Sequence, residues 1–143
     1  MKPLPHRYEV RIAGGPADHA TLRSGGVPDL PTAAPLEFDG PGDAWSPEQL
    51  LLGAVEACFL LTFRAVAQAS GIEFTSLAVE GEGIVDRSDG RTRFTEITLR
   101  PRLALPAGVD MVRVRRALEK AEHACLVSAS LSTPIRLEPD LVG

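Results

Sequence analysis

The chain has 143 residues, of which 44% are apolar and 24% are charged, and its net charge is -4. These values are typical of a soluble globular protein, so we expect one domain over residues 1–143. A negatively charged chain does not attract the phosphates of a nucleic acid, which argues against nucleic acid as a partner. No signal peptide follows Met1, and no apolar run approaches the roughly 18 residues that span a bilayer. We therefore expect a cytoplasmic protein with no membrane partner.

The N-terminal third predicts two strands and an extended segment. Apolar and charged residues alternate in RYEVRIAG, residues 7–14, and HATLRSGG, residues 19–26, predicts the returning strand. Residues 27–43 contain several prolines and glycines, which rules out a continuous helix there.

A long helix is predicted from about residue 46 to about residue 70. Ser46 can cap it, Pro47 suits its first position, and Gln49 can complete a capping box with Ser46. Gly71 is the expected stop. Apolar residues cover nearly all sides of this helix, which predicts that other elements enclose it and that one small domain hardly suffices to do so.

The rest of the chain predicts a hairpin, a second helix and a closing strand. The hairpin spans residues 74–106 with its turn at SDG and one irregularity, and the helix covers about residues 110–125 with Asp110 as its cap. TPIRLEP, residues 133–139, predicts the last strand. The element order indicates an α+β fold with a mainly antiparallel sheet.

Two cysteines, Cys58 and Cys125, are the first candidates for chemistry. They are too few for a disulfide scaffold, and neither belongs to a Cys-x-x-Cys pair, so we expect free thiols or a pair that cycles. Each could simply be a small buried apolar residue. However, Cys125 ends the second helix where the chain must turn, so it can reach another helix. His123 points away from Cys125, and we predict no metal site and no bound cofactor.

A cysteine in the middle of a helix gains little from that helix's own dipole. It therefore needs a positive neighbour from elsewhere to become a thiolate, and arginine is the natural supplier. Glu48 is explained as a first-turn acid at the positive end of the helix. Because Glu48 and Cys58 lie about 15 Å apart along the axis and roughly 80° around it, they can meet only between two chains whose helices pack antiparallel.

Glu56 is the other acidic residue of the long helix, and it points away from Cys58. A carboxylate at this place needs a partner or a wet cavity. We expect a salt bridge or a position in the lining of a pocket, and the pKa of Glu56 could be raised.

The segment SPEQLLLGAVEACF, together with a second cysteine in AEHACLVSAS, resembles the OsmC/Ohr family of osmotically induced and organic hydroperoxide resistance proteins. The element order agrees along nearly the whole chain. The resemblance implies an OsmC-like fold and an intertwined homodimer with its active sites at the subunit interface. It further implies that Cys58 is the peroxidatic thiol, Cys125 the resolving thiol, and Glu48 the residue that orients an activating arginine.

By the same resemblance, Cys58 attacks an organic hydroperoxide and becomes a sulfenic acid that Cys125 converts to a disulfide. An external dithiol, dihydrolipoamide or a lipoylated protein, then reduces the disulfide. The activity implied is a peroxiredoxin-like organic hydroperoxide reductase of oxidative stress defence. Apolar side chains of the long helix would favour an organic substrate, although they could equally belong to the core; they are Phe59, Leu61 and Phe63.

The chain departs from the family pattern at three places. Pro16 and His19 stand where the activating arginine is expected, and Arg23 is the nearest candidate. Leu126 replaces a proline that often follows the second cysteine, and Glu56 replaces a small or neutral residue. These departures indicate a branch outside the best-characterised peroxidases.

Two further functions therefore stay open beside the peroxidase. One is a dimer that binds an apolar small molecule at its interface, and the other is a thiol redox sensor.

Overall fold

The computed structural model describes residues 1–143. The chain divides into two compact units, residues 1–50 and residues 51–143, which are described in turn. The expectation of a single domain stays a prediction.

The first unit contains a three-stranded antiparallel sheet in the order β1-β2-β3. Its strands are β1 (Arg11–Ala13), β2 (Ala20–Arg23) and β3 (Leu30–Thr32), followed by one 3₁₀ turn at Leu36–Phe38. β1 is shorter than predicted, and β3 lies in the proline-rich segment for which only extended chain was expected. Pro31 is tolerated because β2 is the only strand that pairs with β3; the other side of β3 has a single bridge, from Thr32 to Trp45, so a missing N–H at Pro31 costs little.

The long helix α1 spans Pro47–Ser70, within one residue of its predicted start. The predicted capping box is confirmed: the Gln49 N–H donates to Ser46 Oγ over 3.2 Å, and the Ser46 N–H donates to Gln49 Oε1 over 2.9 Å. Gly71 follows the helix with φ 65°, a conformation that favours glycine, so the predicted stop is confirmed as well.

Only one face of α1 is covered in the chain. Val55, Phe59, Phe63 and Ala67 are at most 1% exposed, whereas Leu61 on another face is 56% exposed. The single chain therefore leaves much of the helix uncovered, in line with the expectation that one small domain hardly suffices to enclose it, and its enclosure by further elements stays a prediction. α1 is also long and apolar enough by composition to span a membrane, contrary to the expectation that no such run exists. Core helices of soluble proteins share this property, and α1 supplies core residues here.

The second unit is built on a twisted hairpin of β4 (Ser76–Ser88) and β5 (Arg91–Ala104). Its turn places Asp89 and Gly90 at positive φ, as two-residue hairpin turns require. The predicted irregularity is confirmed as a register shift at Ile84/Val85, which leaves Thr95 as the extra residue on β5.

The C-terminal segment forms two short strands instead of the single one predicted. They are β6 (Ile135–Leu137) and β7 (Asp140–Val142), and both pair with β5 in parallel. The break between them falls at Glu138 and Pro139, and proline lacks the N–H that continuous pairing would use. The sheets are mainly antiparallel, and the α+β class is confirmed.

Two helices complete the second unit: α2 (Met111–Ala124) and the short α3 (Leu126–Ala129). The Asp110 carboxylate caps α2 by accepting the N–H of Val112 over 3.0 Å, as predicted. The apolar face of α2 packs with α1 and the hairpin into one core. That core contains Val55, Phe59, Phe63, Ile97, Leu99, Leu103, Val114, Leu118 and Ala121, all at most 1% exposed.

Candidate functional site

Cys58 and Cys125 come together in the second unit. Cys58 lies in α1 and is partly exposed, whereas Cys125 is 0% exposed. Cys125 ends α2 and begins α3, so it occupies the turn between two helices. The two thiols are near enough for each to shift the pKa of the other. The chain thus brings both sulfur atoms to one place although 66 residues separate them in the sequence.

Opposing effects act on the Cys58 thiol. Burial raises its pKa, but hydrogen bonds from the Cys125 thiol, the Val127 N–H, the Thr62 hydroxyl and the Leu126 N–H outweigh burial, so the pKa of Cys58 is lowered. The backbone donors belong to the first turn of α3, where N–H groups lack partners within the helix. Hydrogen bonds to the charged form favour the thiolate at Cys58.

The pKa of Cys125 moves in the opposite direction. Burial raises it, and the hydrogen bond to Cys58 raises it further, although Ser128 acts to lower it. The Ser128 hydroxyl is itself buried and forms no conventional hydrogen bond, which leaves it free to turn toward the sulfur. A proton shared by the two sulfur atoms therefore stays on Cys125, and the negative charge is favoured on Cys58.

Thr62 is the side-chain donor closest to Cys58 along α1. Its Oγ1 lies 3.9 Å from Cys58 Sγ, one helical turn away. A hydroxyl at this position can donate to the thiolate without any movement of the backbone. Thr62 was not predicted from the sequence, although its i+4 spacing from Cys58 was a usable signal.

Glu48 lies in the first turn of α1, as predicted. Its Oε1 is buried and has no hydrogen-bond partner in the chain. A buried carboxylate oxygen without a donor is costly. Its role in orienting an arginine stays a prediction.

Arg23 lies at the end of β2, where its Nε donates to Asp29 Oδ2 over 3.1 Å in an exposed ion pair. The groups that shift the pKa of Cys58 are thiol, hydroxyl and backbone donors, and none of them is an arginine. The prediction that Arg23 activates Cys58 is neither supported nor contradicted by this ion pair, and it stays a prediction.

The apolar residues proposed to contact substrate fall into two groups. Phe59 and Phe63 are 0% exposed, and the ring of Phe63 packs edge-to-face on Phe74 with centroids 5.2 Å apart. Their burial favours the alternative that they are core residues. Leu61 is 56% exposed and free to meet a ligand or a second chain. Contact with a substrate stays a prediction for all three.

Glu56 packs over Gly81 of β4. A Cβ atom built on Gly81 would lie 2.9 Å from Glu56 Cδ and 2.9 Å from Glu56 Oε1, so a larger residue at this position would push the carboxylate aside. Burial raises the pKa of Glu56, and a hydrogen bond from the Gly81 N–H opposes this effect without cancelling it. No cation pairs with Glu56, so the expectation of a salt bridge is wrong within the chain.

Sequence comparison places the chain among known proteins. Residues 40–140 match the model of the OsmC family, described as OsmC-like protein. The chain belongs to the OsmC-like family. It is 31% identical over 128 residues to the uncharacterized protein YmaD of Bacillus subtilis, which covers 87% of this chain and 85% of YmaD.

Two further OsmC-like proteins resemble the chain. It is 28% identical over 121 residues to peroxiredoxin OsmC of Escherichia coli, which covers 85% of this chain and 83% of that protein. The solved structure of an OsmC-like protein of unknown function from Vibrio cholerae superposes with a TM-score of 0.87 at 17% identity. That match covers 94% of this chain and 99% of the other, which confirms the fold.

Proposed function

We propose that this OsmC-like protein is a cysteine-based peroxidase that reduces organic hydroperoxides to alcohols. The observation that supports it best is the proximity of Cys58 and Cys125, of which Cys58 is partly exposed and Cys125 is buried. The relationship to peroxiredoxin OsmC of Escherichia coli supports the same chemistry.

In the first step, the Cys58 thiolate attacks one oxygen of the hydroperoxide O–O bond. The S–O bond forms as the O–O bond breaks, so Cys58 becomes a sulfenic acid and the alkoxide leaves as the alcohol after it takes up a proton. The donors from Thr62 and the first turn of α3 support this step because they favour the thiolate at Cys58. Sulfur is oxidised by two electrons, and the peroxide is reduced by two.

In the second step, the Cys125 sulfur attacks the sulfenic sulfur of Cys58. The S–S bond forms, and the sulfenic oxygen leaves as water. The proximity of the two thiols supports this step, because each already shifts the pKa of the other. The raised pKa of Cys125 also keeps it protonated while Cys58 reacts, so the two thiols carry out successive steps.

An external dithiol closes the cycle by thiol–disulfide exchange, and dihydrolipoamide or a lipoylated protein is the reductant we propose. The protein itself needs no bound cofactor and no metal for this cycle. We place the reaction in the cytoplasm, where the two cysteines would be reset by a reducing environment.

We propose a homodimer as the active form. The uncovered face of α1 carries Leu61, and burial of that face against a second copy would remove apolar surface from water. The unpaired, buried Oε1 of Glu48 supports the same arrangement because a second copy could supply its missing donor. An arginine, for which Arg23 is the candidate, would complete this arrangement between copies.

Turnover of cumene hydroperoxide with dihydrolipoamide tests the proposal. The wild-type protein should consume the peroxide, and Cys58→Ser should lose this activity. Mass spectrometry after one equivalent of peroxide should find a Cys58–Cys125 disulfide. If wild type and Cys58→Ser consume peroxide equally slowly with every dithiol, the protein is not a peroxidase.

The same assay separates the other two functions. A binding protein for an apolar small molecule would keep both thiols free after peroxide treatment. A redox sensor would form the disulfide once but would not turn over with dithiol. The Arg23→Ala variant tests the activating arginine, since its loss should raise the pKa of Cys58; an unchanged iodoacetamide profile would exclude Arg23.

A further inference from the structure

One exposed face of α2 carries a row of cations. Arg113, Arg116 and Lys120 are spaced at i, i+3 and i+7, so they share one side of the helix. All three line an open groove of about 390 Å3, together with Ser70, Ile72 and Ala117. We call these three cations and the groove between them the α2 basic groove.

The α2 basic groove contains no acidic residue. The ion pairs of the chain involve other cations, which are His19, Arg23, Arg100, Arg102 and Arg136. Arg113 is held in place because its guanidinium donates to the Ser70 carbonyl at the C-terminal end of α1. In a chain of net charge -4, this groove therefore concentrates positive charge that the chain itself does not neutralise.

The shape of the groove indicates the class of its partner. Arg113 and Lys120 lie about 10 Å apart along the helix, and the charged side chains are exposed. A single phosphate could not satisfy all three cations at once, and no buried donor is present among the lining residues to enclose it. Several carboxylates spread along an acidic protein segment would match them together.

The groove also lies on the helix that leads to the second cysteine. Lys120 precedes Cys125 by five residues, and the exposed His123 lies between them in the sequence. A protein docked on α2 would thus lie on the helix that leads into Cys125, one of the two cysteines of the disulfide in the proposed reaction.

We infer that the α2 basic groove docks an acidic protein that carries the reducing dithiol; this inference rests on the proposed peroxidase function. The carrier's first thiolate attacks the sulfur of Cys58, the less buried cysteine of the disulfide, and forms a mixed disulfide, and Cys125 leaves and takes up a proton. The carrier's second thiol then displaces Cys58 and closes the carrier disulfide. Two electrons and two protons pass from the dithiol to the cysteine pair.

The test uses two synthetic peptides that carry dihydrolipoyl-lysine, one rich in glutamate and one rich in glutamine, with free dihydrolipoamide as the uncharged reductant. The variant is Arg116→Glu/Lys120→Glu, which leaves the Arg113 contact with Ser70 intact. The matched control is Arg91→Glu/Arg115→Glu, which makes the same change in net charge at exposed arginines outside the groove.

We expect the groove variant to slow disulfide reduction by the glutamate-rich peptide about 10-fold or more at low salt, because electrostatic attraction accelerates encounter. Its rate with free dihydrolipoamide and with the glutamine-rich peptide should stay within about 2-fold of wild type, and the control should resemble wild type with all three reductants. Equal losses in both variants, or an equal loss with free dihydrolipoamide, would overturn the inference.

Binding of the fluorescently labelled glutamate-rich peptide to the reduced protein gives a second readout that needs no disulfide. If the protein forms no disulfide with peroxide, the proposed peroxidase function is refuted. The anisotropy titration of the reduced protein still decides whether the groove binds the acidic peptide. Groove-dependent binding that is tighter to phosphatidylglycerol vesicles or to single-stranded oligonucleotide than to the peptide would show that the partner is not an acidic protein.

Discussion

Cys58 and Cys125 are neighbours whose pKa values move apart: that of Cys58 is lowered, and that of Cys125 is raised. The asymmetry has a structural cause. Cys58 receives hydrogen bonds from the first turn of α3 and from Thr62, whereas Cys125 is fully buried at the junction of α2 and α3. One thiol is therefore prepared for nucleophilic attack, while its neighbour keeps a proton.

Alkylation by iodoacetamide should reveal this asymmetry. Because only the thiolate reacts, Cys58 should reach half of its maximal rate at a lower pH than an ordinary cysteine, and Cys125 at a higher pH. Peptide mass spectrometry at each pH measures the two sites separately. Cys125→Ala removes one donor and should shift the Cys58 profile to higher pH. Coinciding profiles for the two cysteines would contradict the prediction.

Thr62→Val should weaken the thiolate at Cys58 because it removes a hydroxyl donor while it keeps the shape of the side chain. One hydrogen bond contributes about 0.5–1.5 kcal/mol, so the alkylation rate of Cys58 below its pKa should fall roughly 2- to 10-fold. Thr62→Ser keeps the hydroxyl and serves as the control, with a near-wild-type rate. If the two variants react alike, Thr62 does not donate to Cys58.

Sequence patterns predicted the features of this fold that depend on nearby residues. The capping box of Ser46 and Gln49 and the stop at Gly71 follow from local chemistry, and both were predicted correctly. The strand β3 was missed because Pro31 and the prolines around it mask a pairing that only the neighbouring strand makes favourable.

Contacts between distant residues explain what the sequence left undecided at the site. The position of Cys125 at a helix end indicated that it could reach another helix. No local pattern could show that this helix is α1. The first-turn amides of α3 were missed for the same reason, since backbone donors leave no mark on residue type. Residue types alone therefore indicated an arginine as the positive neighbour, whereas the donors around Cys58 within the chain carry no charge.

Gly83→Ala should destabilise the second unit. A Cβ atom at this position of β4 would lie 2.6 Å from Phe94 Cε1 and 3.0 Å from Leu52 Cδ2, so the aromatic ring must move. Overpacking of this kind costs about 1–3 kcal/mol in the free energy of unfolding, which urea denaturation measures. Gly15→Ala is the control because nothing lies within 4 Å of its added Cβ. Equal midpoints for both variants would show that the ring yields without cost.

Glu56→Gln should stabilise the protein at neutral pH. Burial raises the pKa of Glu56, so the folded state binds this proton more tightly than the unfolded state does. That contribution favours folding below the unfolded pKa and is lost as the pH rises through the folded pKa, after which an unpaired carboxylate lies over Gly81. Glutamine keeps the oxygen that accepts the Gly81 N–H but carries no charge.

We expect a gain of a few tenths of a kcal/mol to about 1 kcal/mol at pH 7, because solvent screens a partly exposed group. The gain should shrink as the pH falls toward 4, where Glu56 itself becomes neutral. Urea denaturation of wild type and Glu56→Gln across this range measures it, with the exposed Glu80→Gln as the control. A gain that is the same at every pH, or that Glu80→Gln reproduces, would show that the raised pKa of Glu56 does not affect stability.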